Sequence, residues 1–198
     1  MPRVGLTQDK VVLEAEGVAD EVGLSHLTLA AVAQRLGVKQ PSLYKHVHGM
    51  DGLQRSIAIR AKSELAETLG RAAVGRARGD AITAMSQAYR RWAIEHPGRY
   101  AATQRASTDG DADDAAASLA VAQVVFDVLA GYDLHDDDAV DATRALRSAL
   151  HGFVSLEVGR GFGLPVDLDR SFDRLVAGLV TALANWGGAS TQPSTPPR

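Results

Sequence analysis

Three observations predict an all-α fold. Apolar residues return at three- and four-residue spacing in one segment after another, no segment alternates apolar and polar residues as a half-buried strand does, and no fixed-period repeat or glycine-rich phosphate loop interrupts the pattern. The spacing predicts about nine helices. With 198 residues the chain fits one compact domain or two small ones, and can bury a sizeable core. It divides into a three-helix head over residues 1–50, a helical body over 51–186 and a disordered tail over 187–198, where Gly, Ser, Thr, Gln and Pro dominate.

Thr7 to Val22 reads as the first helix, with Val11, Val12, Ala15, Val18, Ala19 and Val22 as its apolar stripe and Gly23 at its end. It offers packing surface to the next two helices, which are too short to bury enough alone. Leu27 to Val47 is the stretch those helices form. Thr28 is a good N-cap, and Leu29, Val32, Ala33 and Leu36 follow on one helical face. Gly37 supplies the backbone freedom of a sharp exit, Val38 tucks into a small core, and Lys39-Gln40-Pro41-Ser42 opens a second, brief helix with proline in its first turn. Leu43 and Val47 lie one turn apart and face inward. Gln40, Ser42, Lys45 and His46 are then left mostly outside, with Tyr44 beside them. A helix, a glycine turn and a short polar helix make the helix-turn-helix motif of DNA readers. The plainer alternative is a helical hairpin whose polar face meets water.

Chemistry assigns the outer residues to DNA one by one. Gln40 can bond an adenine edge in two places, Ser42 and His46 can reach bases or phosphates, and Lys39 and Lys45 supply charge against the backbone. Pro41 and Tyr44 offer apolar surface to a thymine methyl, and Thr28 points a hydroxyl at a phosphate while capping its helix. The run Val38-Lys39-Gln40-Pro41-Ser42-Leu43-Tyr44-Lys45-His46-Val47 resembles the recognition-helix region of the TetR family of bacterial repressors, with its Gln-Pro-(Ser/Thr)-Leu-Tyr-x-His-Val signature. The resemblance implies a phosphate contact for Tyr44. It departs at Ala30, where an arginine would read guanine, and at Met50, where a lysine would open the next helix, so a different operator is expected.

The body follows in order. Asp51 is placed to cap a long helix whose Leu53, Ile57, Ala61, Leu65 and Leu69 fall at four-residue steps. Arg71 to Gly79 is a break, and Asp80 starts a helix with Ile82, Met85, Tyr89 and Trp92 on one stripe, halted by His96-Pro97-Gly98. Arg99 to Arg105 is a short helical piece. Asp111 to Ala130 carries Leu119, Val121, Val124, Val125, Phe126 and Leu129. Two helices close the body, Asp136 to Arg160 and Asp169 to Trp186, joined by Gly161-Phe162-Gly163-Leu164-Pro165. On the first, Ala149, Gly152, Leu156 and Gly159 make a side small enough for close helix approach. The last, with Phe172, Leu175, Val176, Leu179, Val180 and Leu183, is apolar over a wide arc that suits a deep core or a partner subunit. Leu150-His151-Gly152-Phe153, Leu156-Glu157, the glycine turn and Ser171-Phe172 resemble the C-terminal domain of a large TetR subgroup. That subgroup often has tryptophan four residues before the His-Gly pair, where this chain has Arg147.

Charge is uneven along the chain although the net is -3. Arg35, Lys39, Lys45, Arg55, Arg60 and Lys62 face the single acid Asp51 between residues 24 and 62, which suits approach to phosphates. Residues 106–143 hold ten aspartates and no lysine, arginine or glutamate. Solvated helix surfaces and helix starts are the preferred reading of that acidic block. The absence of cysteine excludes a disulfide scaffold, cysteine zinc sites and thiol catalysis. No apolar run approaches a membrane span and Met1-Pro2-Arg3 leads into a polar stretch, so a cytoplasmic location and no membrane partner are expected.

His26, His46, His48, His96, His135 and His151 show no zinc-binding spacing, and no nucleophile elbow occurs, so neither an enzyme nor a metal or other cofactor is expected. His151 with Glu157 could form an acid-base pair, but a hydrogen-bonded core or ligand contact is the commoner reading. Trp92, His96, Tyr100, Gln104, Phe126 and His151 are candidates for contact with a small apolar or aromatic effector; plain core packing is the equal alternative. The expected function is a repressor released from a palindromic double-stranded DNA operator by that effector. It would work as a homodimer built on the last two helices, with reading helices about 34 Å apart. A DNA-binding architectural or protein-gated factor with no small-molecule effector is the alternative.

Overall fold

The computed structural model describes residues 5–186, and the tail expected over residues 187–198 lies outside the described residues. Among the described residues eight α-helices run in order: α1 Gln8–Val22, α2 Leu29–Leu36, α3 Gly49–Ala73, α4 Arg78–Glu95, α5 Pro97–Thr103, α6 Ala112–Ala130, α7 Asp136–Val158 and α8 Leu168–Ala184. Between α2 and α3 lies a 3-10 helix, Gln40–Lys45, and after α1 a 3-10 turn, Leu24–His26. No strand occurs among the described residues, so the all-α prediction holds. The chain forms two compact units: one reaches to Thr68 and resumes over Tyr89–Ala122, the other comprises Leu69–Ala88 and the residues from Gln123 on.

The first unit is built on α1. Thr7 caps it by accepting the Lys10 N–H, and Val11, Val12, Ala15, Val18 and Ala19 point into a core shared with Leu29 and Val32 of α2, Leu43, Val47, and Leu53 and Ile57 of α3. Val22, expected on the same stripe, is instead half exposed. Gly23, at φ 88, turns the chain away there, so the neighbours that bury Ala19 no longer cover the last residue of the helix. Helix α5 joins this core through Ala102. Proline opens it rather than merely halting α4, because the first helical position needs no N–H. At Gly98 α5 meets the α1 backbone so closely that a Cβ would lie 2.1 Å from the Ala19 carbonyl carbon. Asp20 caps α5 from outside it, accepting the Arg99 N–H at 2.8 Å, which places a carboxylate at a positive helix end.

All five of the apolar positions expected on α3 are buried, but Asp51 falls inside the first turn because α3 already starts at Gly49. Asp111, the residue before α6, caps it by accepting the Asp114 N–H at 3.2 Å.

In the second unit Ile82, Leu129, Tyr132, Leu134, Ala142, Leu146 and Leu183 form one core. Phe153 stacks against Phe172 and Phe162, with ring centroids 5.1 and 4.9 Å away. Asp167 caps α8 by accepting the Arg170 N–H at 2.9 Å. The wide apolar arc of α8 resolves into an inner row, Phe172, Val176 and Leu183, and an outer row of small or polar residues, Ala177, Gly178, Thr181 and Ala182. Leu119, one of the apolar residues that α6 carries, is 60% exposed. Among the described residues no helix is long and apolar enough to cross a membrane.

Candidate nucleic-acid interface

The local chemistry of Thr28 to Val47 produces the predicted hairpin. The Thr28 hydroxyl oxygen accepts the Ala31 N–H at 3.1 Å and starts α2. Gly37 adopts φ 66, ψ 30, a left-handed cap, and the Val38 N–H reaches back to the Ala33 carbonyl at 3.0 Å. The short helix that follows is wound more tightly than an α-helix. Pro41 has no N–H to give, and bonds of the three-residue kind, Ser42 N–H to the Lys39 carbonyl and His46 N–H to the Leu43 carbonyl, close it at 2.9 and 2.8 Å.

Leu43 is completely buried and Val47 nearly so, and these two fasten the helix to the core. Lys39, Gln40, Pro41, Tyr44 and Lys45 are exposed, as is Thr28. Ser42 and His46 are half-buried, because with about three residues per turn the row beneath Lys39 and Lys45 rolls toward the core. The Gln40 amide nitrogen lies 3.5 Å from the Tyr44 hydroxyl, a long contact that leaves both side chains adjustable. The outward surface therefore combines two cations, one amide, one phenol and a proline ring, a set suited to phosphates and base edges.

Electrostatics change the reading of the basic segment. Arg35 donates to Glu14 at 3.0 Å and to Glu21 at 2.6 Å, and the bonds to Glu21 and Glu14 hold its guanidinium above its ordinary pKa. Arg55 makes a two-pronged bond to Asp111, at 2.6 and 2.5 Å, with a third to Asp113 at 3.0 Å. The hydrogen bond from Arg55 holds the Asp111 carboxyl below the usual carboxylate range. Arg60 pairs with Glu16 at 2.9 Å; burial, outweighing that pairing, pushes the Glu16 carboxyl upward. Lys62 bonds Asp114 at 2.6 Å, with both side chains almost fully buried. Of the six cations counted between residues 24 and 62, Lys39 and Lys45 alone have no such internal carboxylate among the described residues. Part of the acidic block is correspondingly not solvated surface: Asp111 and Asp114 are withdrawn from water as counter-charges of α3, with the exposed Asp113 beside them. These pairs join residues 52 to 58 positions apart, and spacing along the sequence carried no sign of them.

The residues expected to meet an effector separate into two groups. Trp92, His96, Tyr100 and Gln104 belong to the first unit and Phe126 and His151 to the second. Trp92 and Tyr100 are buried, and Tyr89 joins them, its hydroxyl 3.0 Å from that of Tyr100 with the rings edge to face. The Trp92 indole Nε1 is buried with no hydrogen-bond partner among the described residues. Gln104 is half-buried and donates to the Thr103 hydroxyl at 2.8 Å. His96 packs edge-on against Trp92, and its Nδ1 accepts from the Arg99 guanidinium at 2.5 Å. Arg99 also donates to Asp20 and Glu64, each at 2.8 Å, so His96 belongs to an ion cluster that sequence reasoning missed. Half-buried Phe126 lies on α6, and half-buried His151 lies 3.4 Å from the Ser155 hydroxyl. Gly152 beside it faces open space: a Cβ there would meet nothing within 4 Å. Among the described residues no cluster of histidines and carboxylates could hold a metal ion.

Comparison with known proteins agrees with this architecture. A profile of the tetracyclin repressor-like C-terminal domain matches residues 82–179. The HTH-type transcriptional regulator Rv0681 of Mycobacterium tuberculosis is 39% identical over 191 residues, covering 94% of this chain and 87% of that protein. The HTH-type transcriptional regulator YobS of Bacillus subtilis is 30% identical over 182 residues, covering 92% and 95%. Among solved structures, the Streptomyces coelicolor TetR family protein ActR in complex with (S)-DNPA superimposes with a TM-score of 0.69 at 22% identity, over 93% of this chain and 98% of that one.

Proposed function

Since this chain belongs to the TetR family of helix-turn-helix transcriptional regulators, we propose that it is a repressor released from a palindromic operator when a small molecule binds its helical body. The observation that carries the reading is the short helix Gln40–Lys45. Leu43 and Val47 fasten it, and its polar side chains are left outward and nearly unbonded to one another. Gln40 reads a base edge, Lys39, Tyr44 and Lys45 meet phosphates, Pro41 lies against a thymine methyl, and Ser42 and His46 take the contacts nearest the core. Thr28 adds a phosphate contact at the start of α2.

Two heads are needed to read a palindrome, with reading helices about 34 Å apart. The outer row of α8, with Gly178 open to a Cβ, and the face of α7 bearing Ser148, Gly152, Ser155 and Leu156 form the isologous seam of the homodimer. Leu183, on the apolar arc that suited either a deep core or a partner subunit, belongs to its own subunit's core.

The effector is assigned to the aromatic group Tyr89, Trp92 and Tyr100 with Gln104. A ligand acceptor would satisfy the buried Trp92 N–H, and an apolar or aromatic body suits its neighbours. That a protein of the same fold is described in complex with (S)-DNPA supports effector binding as such. Release follows if the effector binds the low-affinity state more tightly than the DNA-bound one.

Selection of bound sites from a random duplex pool tests the reading. Enrichment of a two-fold symmetric sequence is expected, with a homodimer by light scattering at micromolar concentration. Enrichment of no sequence would favour an architectural binder, and a stable monomer that bound a palindrome tightly would remove the seam.

A further inference from the structure

Arg35 sits in the last turn of α2, five residues before the reading helix, where a cation would ordinarily be assigned to a phosphate. Its guanidinium is turned the other way, onto α1. Glu14 and Glu21, a little under two turns apart, take its Nε and Nη1 at 3.0 and 2.6 Å. Gly17 lies between them on the same face, and a Cβ there would approach Arg35 Nη2 to 3.1 Å and Cζ to 3.4 Å. The four residues thus form a clip: two carboxylates hold the planar fork, and a glycine notch lets it lie against the helix. Beside it on α2, Leu29, Val32 and Ala33 form a separate stripe buried in the core with α1. Core packing sets the distance between the two helices, and the clip resists rotation of α2 about its own axis. The chain then leaves α2 through the left-handed Gly37, tied back by the Val38 N–H, so the orientation of this last turn is passed to Gln40–Lys45.

We infer that Arg35 is a positioning residue for the reading helix and not a phosphate contact, with Glu14, Gly17 and Glu21 as the groups through which it acts. The inference rests on the DNA-reading role proposed above and adds which cations meet the phosphates: Lys39 and Lys45 do, and Arg35 does not.

The test compares dissociation constants for a site enriched by selection and for a random-sequence duplex of equal length, over a range of salt concentrations. Arg35→Gln is expected to lower the preference for the selected site by about tenfold, the scale of one base contact, while the slope of log K against log salt stays that of the wild type. Lys45→Ala is expected to reduce the slope by about two for the dimer, one per protomer. Gly17→Leu changes no charge, yet it should reproduce the loss of preference by filling the notch, and the double variant should be no worse than either single one. Partial unfolding would scale both dissociation constants equally and so leaves the preference and the slope unmoved; melting curves record it separately. A fall in slope for Arg35→Gln like that of Lys45→Ala would make Arg35 a phosphate contact. Preference retained in Arg35→Gln or in Gly17→Leu would equally overturn the clip. If the wild-type protein enriched no sequence, the regulator reading itself would fail; the clip fails separately, in variants of a protein that does enrich one.

Discussion

The DNA-reading head has two polar faces of opposite character. On the side of α5 and α6 charges are paired with one another: Asp20 with Arg99, Arg99 with Glu64, Arg55 with Asp111, Lys62 with Asp114. On the side of the reading helix, Lys39, Gln40, Tyr44 and Lys45 are exposed, and the long Gln40–Tyr44 contact is their one mutual bond among the described residues. The difference separates two uses of the same residue types. Charges withdrawn from water must be paired or they cost several kcal/mol, so the first face determines geometry. Charges left in water contribute almost nothing to stability and remain available to another molecule, so the second face is the one open to a partner.

Replacing one partner of the buried pair should expose this contrast most strongly. Lys62→Met leaves the Asp114 carboxylate buried without its cation, and a loss of about 3–5 kcal/mol is expected in urea unfolding. The double change Lys62→Met with Asp114→Leu should recover much of it. Equal stability of the single and double variants would mean that the pair is not a closed unit. Gly98→Ala comes next. Its methyl would overlap the backbone at Ala19, so α5 must move off α1, with an expected cost of about 1–3 kcal/mol visible as a lower melting temperature. An unchanged melting temperature would show that α5 is only loosely held.

On the other face, Gln40→Ala should leave the melting temperature alone while costing on the order of 1–3 kcal/mol of binding to the selected site, with preference relaxed at one base position. Unaltered site preference would remove Gln40 from the reading set.

The smallest effect is on pH dependence. Because Arg55 depresses the Asp111 pKa in the folded state, the pair stabilises above the ordinary carboxylate pKa, and that stability is lost as pH falls through the depressed value. Arg55→Gln should therefore flatten the decline in melting temperature on acidification, and an identical acid limb would show that the pair contributes nothing.

Helices, caps and turns could be read from the sequence because their causes are local. Thr28 and Gly37 act within one turn of where they stand, and the burial of Leu43, Val47, Leu53, Ile57, Ala61, Leu65 and Leu69 follows from helical spacing alone. The outward set on the reading helix was legible in type but not in tilt: one proline and six residues give a tighter pitch, which rolls Ser42 and His46 toward the core. The fate of the charges was not legible at all. A count along the chain makes Arg35, Arg55, Arg60 and Lys62 look like a phosphate-binding patch. Only folding, which brings Asp111, Asp114 and Glu16 beside α3 and Glu14 and Glu21 beside α2, decides that they are paired with the protein's own carboxylates. Periodicity and caps are properties of neighbours in sequence, whereas Coulombic pairing depends on distances in space, and for residues more than fifty positions apart those distances exist only once the helices have packed.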